Sequence, residues 1–93
     1  MAQKRTKLEV IKDILSVLHQ HRQLRITRLI YKANLSNNTI KKYIRELLEK
    51  GLVKSENVDE KKVYKLTPKG LDFLADFQKM KLFSEAYGLT DVV

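Results

Sequence analysis

Between Ser36 and Arg45 the chain carries side chains suited to a polar, negatively charged surface: Ser36-Asn37-Asn38-Thr39, then Lys41, Lys42 and Arg45. Asparagine can pair with adenine through two hydrogen bonds, arginine with guanine, and threonine can meet a thymine methyl. Lysine and arginine neutralise phosphates and release their counterions. A second basic group, Arg25, Arg28 and Lys32, lies just upstream, and Lys61 and Lys62 lie downstream. Each set could equally be a solvated face with polar caps. The overall balance weighs against that: nineteen Lys and Arg against eleven Asp and Glu give a net charge of +8. Such an excess is more than solubility needs and points to a polyanionic partner, nucleic acid before an anionic membrane. The excess is also local. Residues 1–50 hold twelve Lys/Arg against four Asp/Glu, and residues 51–93 hold seven of each.

Other chemistries find little to work with. With no Cys there is no disulfide scaffold, no thiolate metal site and no cysteine catalysis. His19 and His21 invite a metal reading, but residues two apart on a helix do not face each other, and two His cannot complete a site. No nucleophile–base pair, phosphate loop or metal cluster stands out, so neither an enzyme nor a cofactor is expected. The sequons Asn34-Leu35-Ser36 and Asn37-Asn38-Thr39 carry no weight without a secretory signal. Apolar residues between Leu8 and Leu18 are broken by Glu9, Lys12 and Asp13, which makes neither a signal segment nor a membrane span. A cytoplasmic, nucleoid-associated location is expected. Exposed aromatic platforms for single-stranded RNA are lacking, and the acids of the first helix disfavour a membrane-surface role.

These residues need elements to hold them. Leu8, Ile11, Ile14, Leu15 and Leu18 repeat at helical spacing, which predicts a first helix over roughly 6–20 with Thr6 as N-cap. Lys4, Arg5 and Lys7, at its start, could form a basic arm but read better as a frayed terminus. Ile26, Leu29, Ile30 and Ala33 predict a second helix over about 26–33, stopping at Asn34. Ser36 then caps a third helix, with Leu35 placed to pack on Ile40 and Gly51 closing it. So short a gap between the second and third helices is the spacing of a helix-turn-helix. Leu52–Glu56 and Lys62–Leu66 read as strands joined by a turn over residues 57–61. Thr67-Pro68 starts a last helix that runs to about Tyr87 and ends at Gly88.

Helix, helix-turn-helix, hairpin is the order of a winged helix-turn-helix domain, mainly α with a small β-hairpin. The segments Arg28-Leu29-Ile30-Tyr31-Lys32-Ala33-Asn34-Leu35-Ser36, Leu47-Leu48-Glu49-Lys50-Gly51-Leu52-Val53 and Tyr64-Lys65-Leu66-Thr67-Pro68-Lys69-Gly70-Leu71 closely resemble small archaeal winged-helix proteins, a group of transcriptional regulators and chromatin-associated proteins. The resemblance covers roughly residues 6–75. It implies binding to double-stranded DNA and dimerisation through a C-terminal helix.

Residues 1–70 are therefore expected to form the DNA-binding domain, and residues 71–93 the dimerisation element. The expected contacts are Arg25, Arg28 and Lys32 on the phosphate backbone and residues 36–39 with Lys41, Lys42 and Arg45 in the major groove. Lys61 and Lys62 are expected to act if the wing touches DNA. The last helix carries two apolar stripes. Leu71, Leu74 and Ala75 are expected to close the domain, leaving Phe73, Phe77 and Met80, with Phe83 and Tyr87 beyond, for a second copy. The resulting reading is a dimeric DNA-binding regulator or chromatin protein. Its alternative is a protein-interaction winged helix without DNA binding.

Overall fold

The computed structural model describes residues 5–89. Its elements run α1 (Lys7–Gln20), α2 (Ile26–Ala33), α3 (Asn37–Glu49), β1 (Val53–Val58), β2 (Lys61–Leu66) and α4 (Pro68–Ala86). Local chemistry sets most of the boundaries. Thr6 Oγ1 accepts from the Glu9 amide while Glu9 Oε1 accepts from the Thr6 amide, a reciprocal capping box at the start of α1. Ser36 Oγ caps α3 by accepting from the Thr39 amide, and Thr67 Oγ1 caps α4 by accepting from the Gly70 amide. Asn34 (φ 55°) and Gly51 (φ 74°) end α2 and α3 in left-handed conformations. Behind each of them the next amide reaches back: Leu35 to the Ile30 carbonyl and Leu52 to the Leu47 carbonyl, the paired bonds of a Schellman end.

The core joins one face of each helix to the hairpin. Ile14, Leu15, Leu29, Ile40 and Leu47 have no exposed surface at all. Val10 and Ile11 are buried beside them, while Leu8, expected in the stripe, is exposed. Leu35 is half-buried against this core, where an N′ residue of α3 belongs.

The hairpin is longer and tighter than expected. β1 and β2 pair antiparallel from Val53↔Leu66 to Val58↔Lys61, which leaves only Asp59 and Glu60 in the turn. Both have positive φ (52° and 64°), as a two-residue type I′ turn requires. No glycine advertises that turn, hence the wider loop read from sequence. On its other edge β2 exchanges two backbone hydrogen bonds with Leu24, so it runs between β1 and the segment before α2.

α4 lies along α1 in the opposite direction. Its start, Pro68 and Leu71, is beside Leu18 and His19, and Phe77 is beside Lys12 and Ser16. Here the expected assignment of faces is corrected in part. Phe77 is only 5% exposed and Phe73 is half-buried, their rings 6.2 Å apart with Lys12 Nζ above Phe77. Leu74 packs on the core as expected, whereas Leu71 (46% exposed) sits at the edge of the seam and Ala75 is exposed. Periodicity reveals two stripes of similar strength, but not that α1 will meet the boundary between them, taking Phe73 and Phe77 from one and Leu74 from the other. The bulky rings fill that seam because they remove more apolar surface from water.

Nor is the N-terminal segment a loose basic arm. Arg5 bonds Asp13 Oδ2 (2.7 Å) and the carbonyls of Ala33 (3.3 Å) and Asn34 (3.1 Å), tying the approach to α1 to the end of α2. Lys7 pairs with Glu46 of α3 at 3.0 Å. Lys4 lies outside the described residues. Burial alone would raise the Asp13 pKa, but hydrogen bonds from Lys12 and Arg5 outweigh it and hold the carboxyl below its ordinary 3.8. A carboxylate with a depressed folded-state pKa stabilises the fold at neutral pH and loses that contribution as pH falls below about 4. Asp13→Asn should therefore lower the urea midpoint at neutral pH and narrow the gap between neutral and about pH 3. An unchanged gap would show that the clamp contributes nothing.

Candidate nucleic-acid interface

α3 turns Ile40, Ile44 and Leu47 inward, which leaves Asn38, Lys41, Lys42, Arg45 and Glu49 as one exposed stripe at helical spacing. Asn37 and Asn38 are exposed at its N-terminal end. Ser36 and Thr39 are more engaged. The Ser36 hydroxyl donates to Thr39 Oγ1 at 2.8 Å while accepting from the Thr39 amide, so both serve the cap. The Thr39 methyl is not committed by these bonds.

β2 sorts the basic residues into two groups. Successive strand residues point to opposite faces. Lys61 and Val63 border a cleft with Arg25, the N-cap of α2, and Arg28, a cleft that Asp59 of the turn also lines, whereas Lys62 and Tyr64 border a cleft with Lys41 and Arg45 of α3. The hairpin thus serves as a partition with cations on both sides. Lys32 falls in neither group. It borders a depression with Asp13, Gln20 and Asn34 on the α1 side of α2. Lys42 stands on the outer stripe of α3 and lines neither cleft.

Ion pairing separates structural cations from the rest. Arg5, Lys7, Lys12, Lys54 and Lys65 are each held by a carboxylate. Glu56, gripped by Lys65 and Lys54, is accordingly held below the usual carboxylate range. Among the described residues no ion pair engages Arg25, Arg28, Lys32, Lys41, Lys42, Arg45, Lys61 or Lys62. Arg22, Lys79 and Lys81 are also outside the ion pairs, so freedom from pairing is not decisive by itself. Clustering around a helix-turn-helix and its wing is what distinguishes the first set.

A family pattern described as winged helix-turn-helix matches residues 4–85, nearly the whole chain. The chain belongs to the winged helix-turn-helix family. This winged-helix protein is 32% identical over 90 residues to an uncharacterized protein of Methanocaldococcus jannaschii, covering 97% of this chain and 78% of the relative. Among solved structures it is similar to Sso10a-2, a DNA-binding protein of Sulfolobus solfataricus. That match has 26% identity and a TM-score of 0.75, over 89% of this chain and 86% of that one. A MarR family transcriptional regulator of Silicibacter pomeroyi shares the fold at 24% identity and a TM-score of 0.72, over 94% of this chain and 61% of that one.

Two features of the winged-helix surface escape a reading of the sequence alone. Ile26 and Tyr64 help form the cleft beside α3, and the Leu24–Tyr64 bridge joins β2 to the segment that leads into α2. Tyr31 is a large exposed aromatic between Arg28 and Lys32 on α2. His19 and His21 behave as a helix end, and no group of three or more metal-ligating residues occurs among the described residues. Among the described residues no helix is long and apolar enough to cross a membrane.

Proposed function

We propose that this winged-helix protein binds double-stranded DNA as a homodimer and acts as a transcriptional regulator or chromatin-associated protein, without catalysis. One observation carries the reading: unpaired cations of α2, α3 and β2 gather on the two sides of the wing, next to an exposed Asn37-Asn38 at the start of α3. An α-helix fits the major groove, and helix-turn-helix proteins read bases from the N-terminal part of their second helix. Sso10a-2, similar over most of both chains, is itself a DNA-binding protein. In this reading α3 presents Asn37, Asn38 and Thr39 to bases, while Arg25, Arg28, Lys41, Lys42, Arg45, Lys61 and Lys62 contact phosphates. Lys32 would reach only backbone that curves toward α1.

The dimer rests on α4. Phe83 and Tyr87 are 65% and 70% exposed with their rings 4.9 Å apart, and Leu71, Met80 and Leu82 are exposed as well. Leaving such side chains in water forgoes about 1.5–3 kcal/mol each, and a self-complementary helix pair would recover much of it. From residue 71 onward the helix is thus the assembly element, though Phe73 and Phe77 belong to the monomer. Residues 90–93, the end of the expected dimerisation segment, lie outside the described residues.

Titrating a duplex of about 25 base pairs at several salt concentrations tests the DNA reading. Binding should weaken steeply with salt. Lys42→Ala with Arg45→Ala should weaken it on every sequence and flatten the slope by about one unit per lost phosphate contact. Asn38→Ala should instead change preference by about 1–3 kcal/mol at one base pair. Absence of duplex binding at moderate salt would favour the adaptor reading, and unchanged affinity in all variants would remove α3 from the interface.

A further inference from the structure

The tip of the wing carries the wrong charge for a surface that meets DNA. Asp59 and Glu60 form the turn, both are exposed, and among the described residues no ion pair engages either. Both are also held at positive φ (52° and 64°). Asparagine and glycine adopt that conformation more easily, so the turn keeps two carboxylates where uncharged residues would fit with less strain. The two sides of the wing are unequal as a result. Asp59 lines the α2-side cleft with Arg25, Arg28 and Lys61, which places a carboxylate among those cations. The α3-side cleft has Lys41, Arg45 and Lys62 and, among the described residues, no carboxylate.

A hairpin beside a major-groove helix can meet the duplex in two ways. Its tip can enter the neighbouring minor groove, or its flank can lie along the phosphates. Proteins that enter the minor groove lead with cations, amides or apolar wedges, and a narrow groove concentrates negative potential. Two unneutralised carboxylates at the leading end oppose that entry. We infer that the Asp59-Glu60 tip is an electrostatic stop, which keeps the wing out of the minor groove and seats the phosphate backbone on the α3 side of the hairpin. The inference rests on the DNA-binding reading and adds to it two residues that act by repulsion, as like charges do when they exclude a wrong mode of docking. Lys62, on the side without a carboxylate, carries a full phosphate contact. Lys61, beside the tip, carries a weaker one. With the minor groove left unread, discrimination between sequences falls to the start of α3.

The test titrates the intact protein with an A·T duplex of about 25 base pairs, either free or with its minor groove filled by netropsin. The wild type should bind the two forms about equally. Asp59→Asn with Glu60→Gln removes both charges at nearly constant shape, and should bind the free duplex roughly 3- to 10-fold more tightly at about 0.05 M salt. That gain should vanish on the filled duplex, where a neutral tip has no groove to enter. In the wild-type background, Lys62→Gln should weaken binding several-fold more than Lys61→Gln. Release of the wild type by netropsin would put the wing in the groove and overturn the inference. So would a neutral tip that binds no better, or a gain that survives netropsin and is therefore an effect of net charge alone. An equal or larger loss from Lys61→Gln would overturn it too. If neither the wild type nor the neutral-tip protein binds the free duplex, the DNA reading itself falls and takes the stop with it.

Discussion

Phe77→Ala should unfold this protein far more readily than any substitution at the exposed end of the same helix. Phe77 fills the seam between α1 and α4, under the Lys12 ammonium and against Phe73. Removing a buried phenyl ring costs about 3 kcal/mol or more, through lost transfer free energy and the cavity left behind. In a domain of this size that corresponds to a fall in Tm of roughly 15 °C. Phe83→Glu should do the opposite on both counts. The ring is mostly in solvent, so the monomer should keep its Tm, while a charge placed in the proposed helix pair should drive dimers toward a mass of 10.9 kDa. Thermal unfolding and light scattering on the two variants separate the roles. A Phe77→Ala protein that keeps its Tm but dissociates would return this residue to the interface, and a wild type that is monomeric at tens of micromolar would end the dimer proposal.

Gly70→Ala should be destabilising although it lies inside a helix, where alanine is normally better than glycine by about 1 kcal/mol. The constraint here is space. A Cβ at position 70 would overlap the Leu52 carbonyl oxygen and lie 2.6 Å from Leu66 Cδ1. The first of these is backbone and cannot rotate aside. The same junction is fastened by Thr67 Oγ1 donating to the Gly51 carbonyl at 2.6 Å, the Thr67 amide donating to Leu52 and Lys69 Nζ donating to Lys50. Pushing α4 off this seat strains all of these bonds, so the loss should be about 2–3 kcal/mol. A lower urea midpoint with an unchanged m-value is the expected readout. A higher midpoint would mean that the seat yields cheaply and that the close approach has no structural consequence. Because α3 ends where α4 begins, any surviving Gly70→Ala protein should also bind duplex less well.

Helix boundaries were readable in the sequence because they depend on near neighbours. Thr6, Ser36 and Thr67 lie within three residues of the amides they cap, and Asn34 and Gly51 adopt left-handed conformations that their own chemistry permits. The same locality explains why α2 and α3 fell where expected. What sequence could not show depends on tertiary neighbours. Asp59-Glu60 forms a tight turn without a glycine because twelve residues of paired strand impose it. Phe77 faces α1 because the seam rewards bulk, a fact absent from the period of α4. Arg5 resembles any terminal arginine until α2 ends beside it. The candidate interface was half visible: the basic residues could be named, but their division between two clefts required β2 to be in place.

That division has an arithmetic consequence for how such a wing can change. Side chains on a strand are assigned to faces by odd and even position, so Lys61 serves the α2 side and Lys62 the α3 side only while the count from Tyr64 is kept. One residue inserted between Lys62 and Val63 would move both lysines to the opposite cleft without altering a single charge. A residue added to each strand beyond Lys61, at the tip, would lengthen the hairpin and leave the sorting intact. The wing is in effect a parity code: its length can drift freely at the turn, while its base tolerates only even steps.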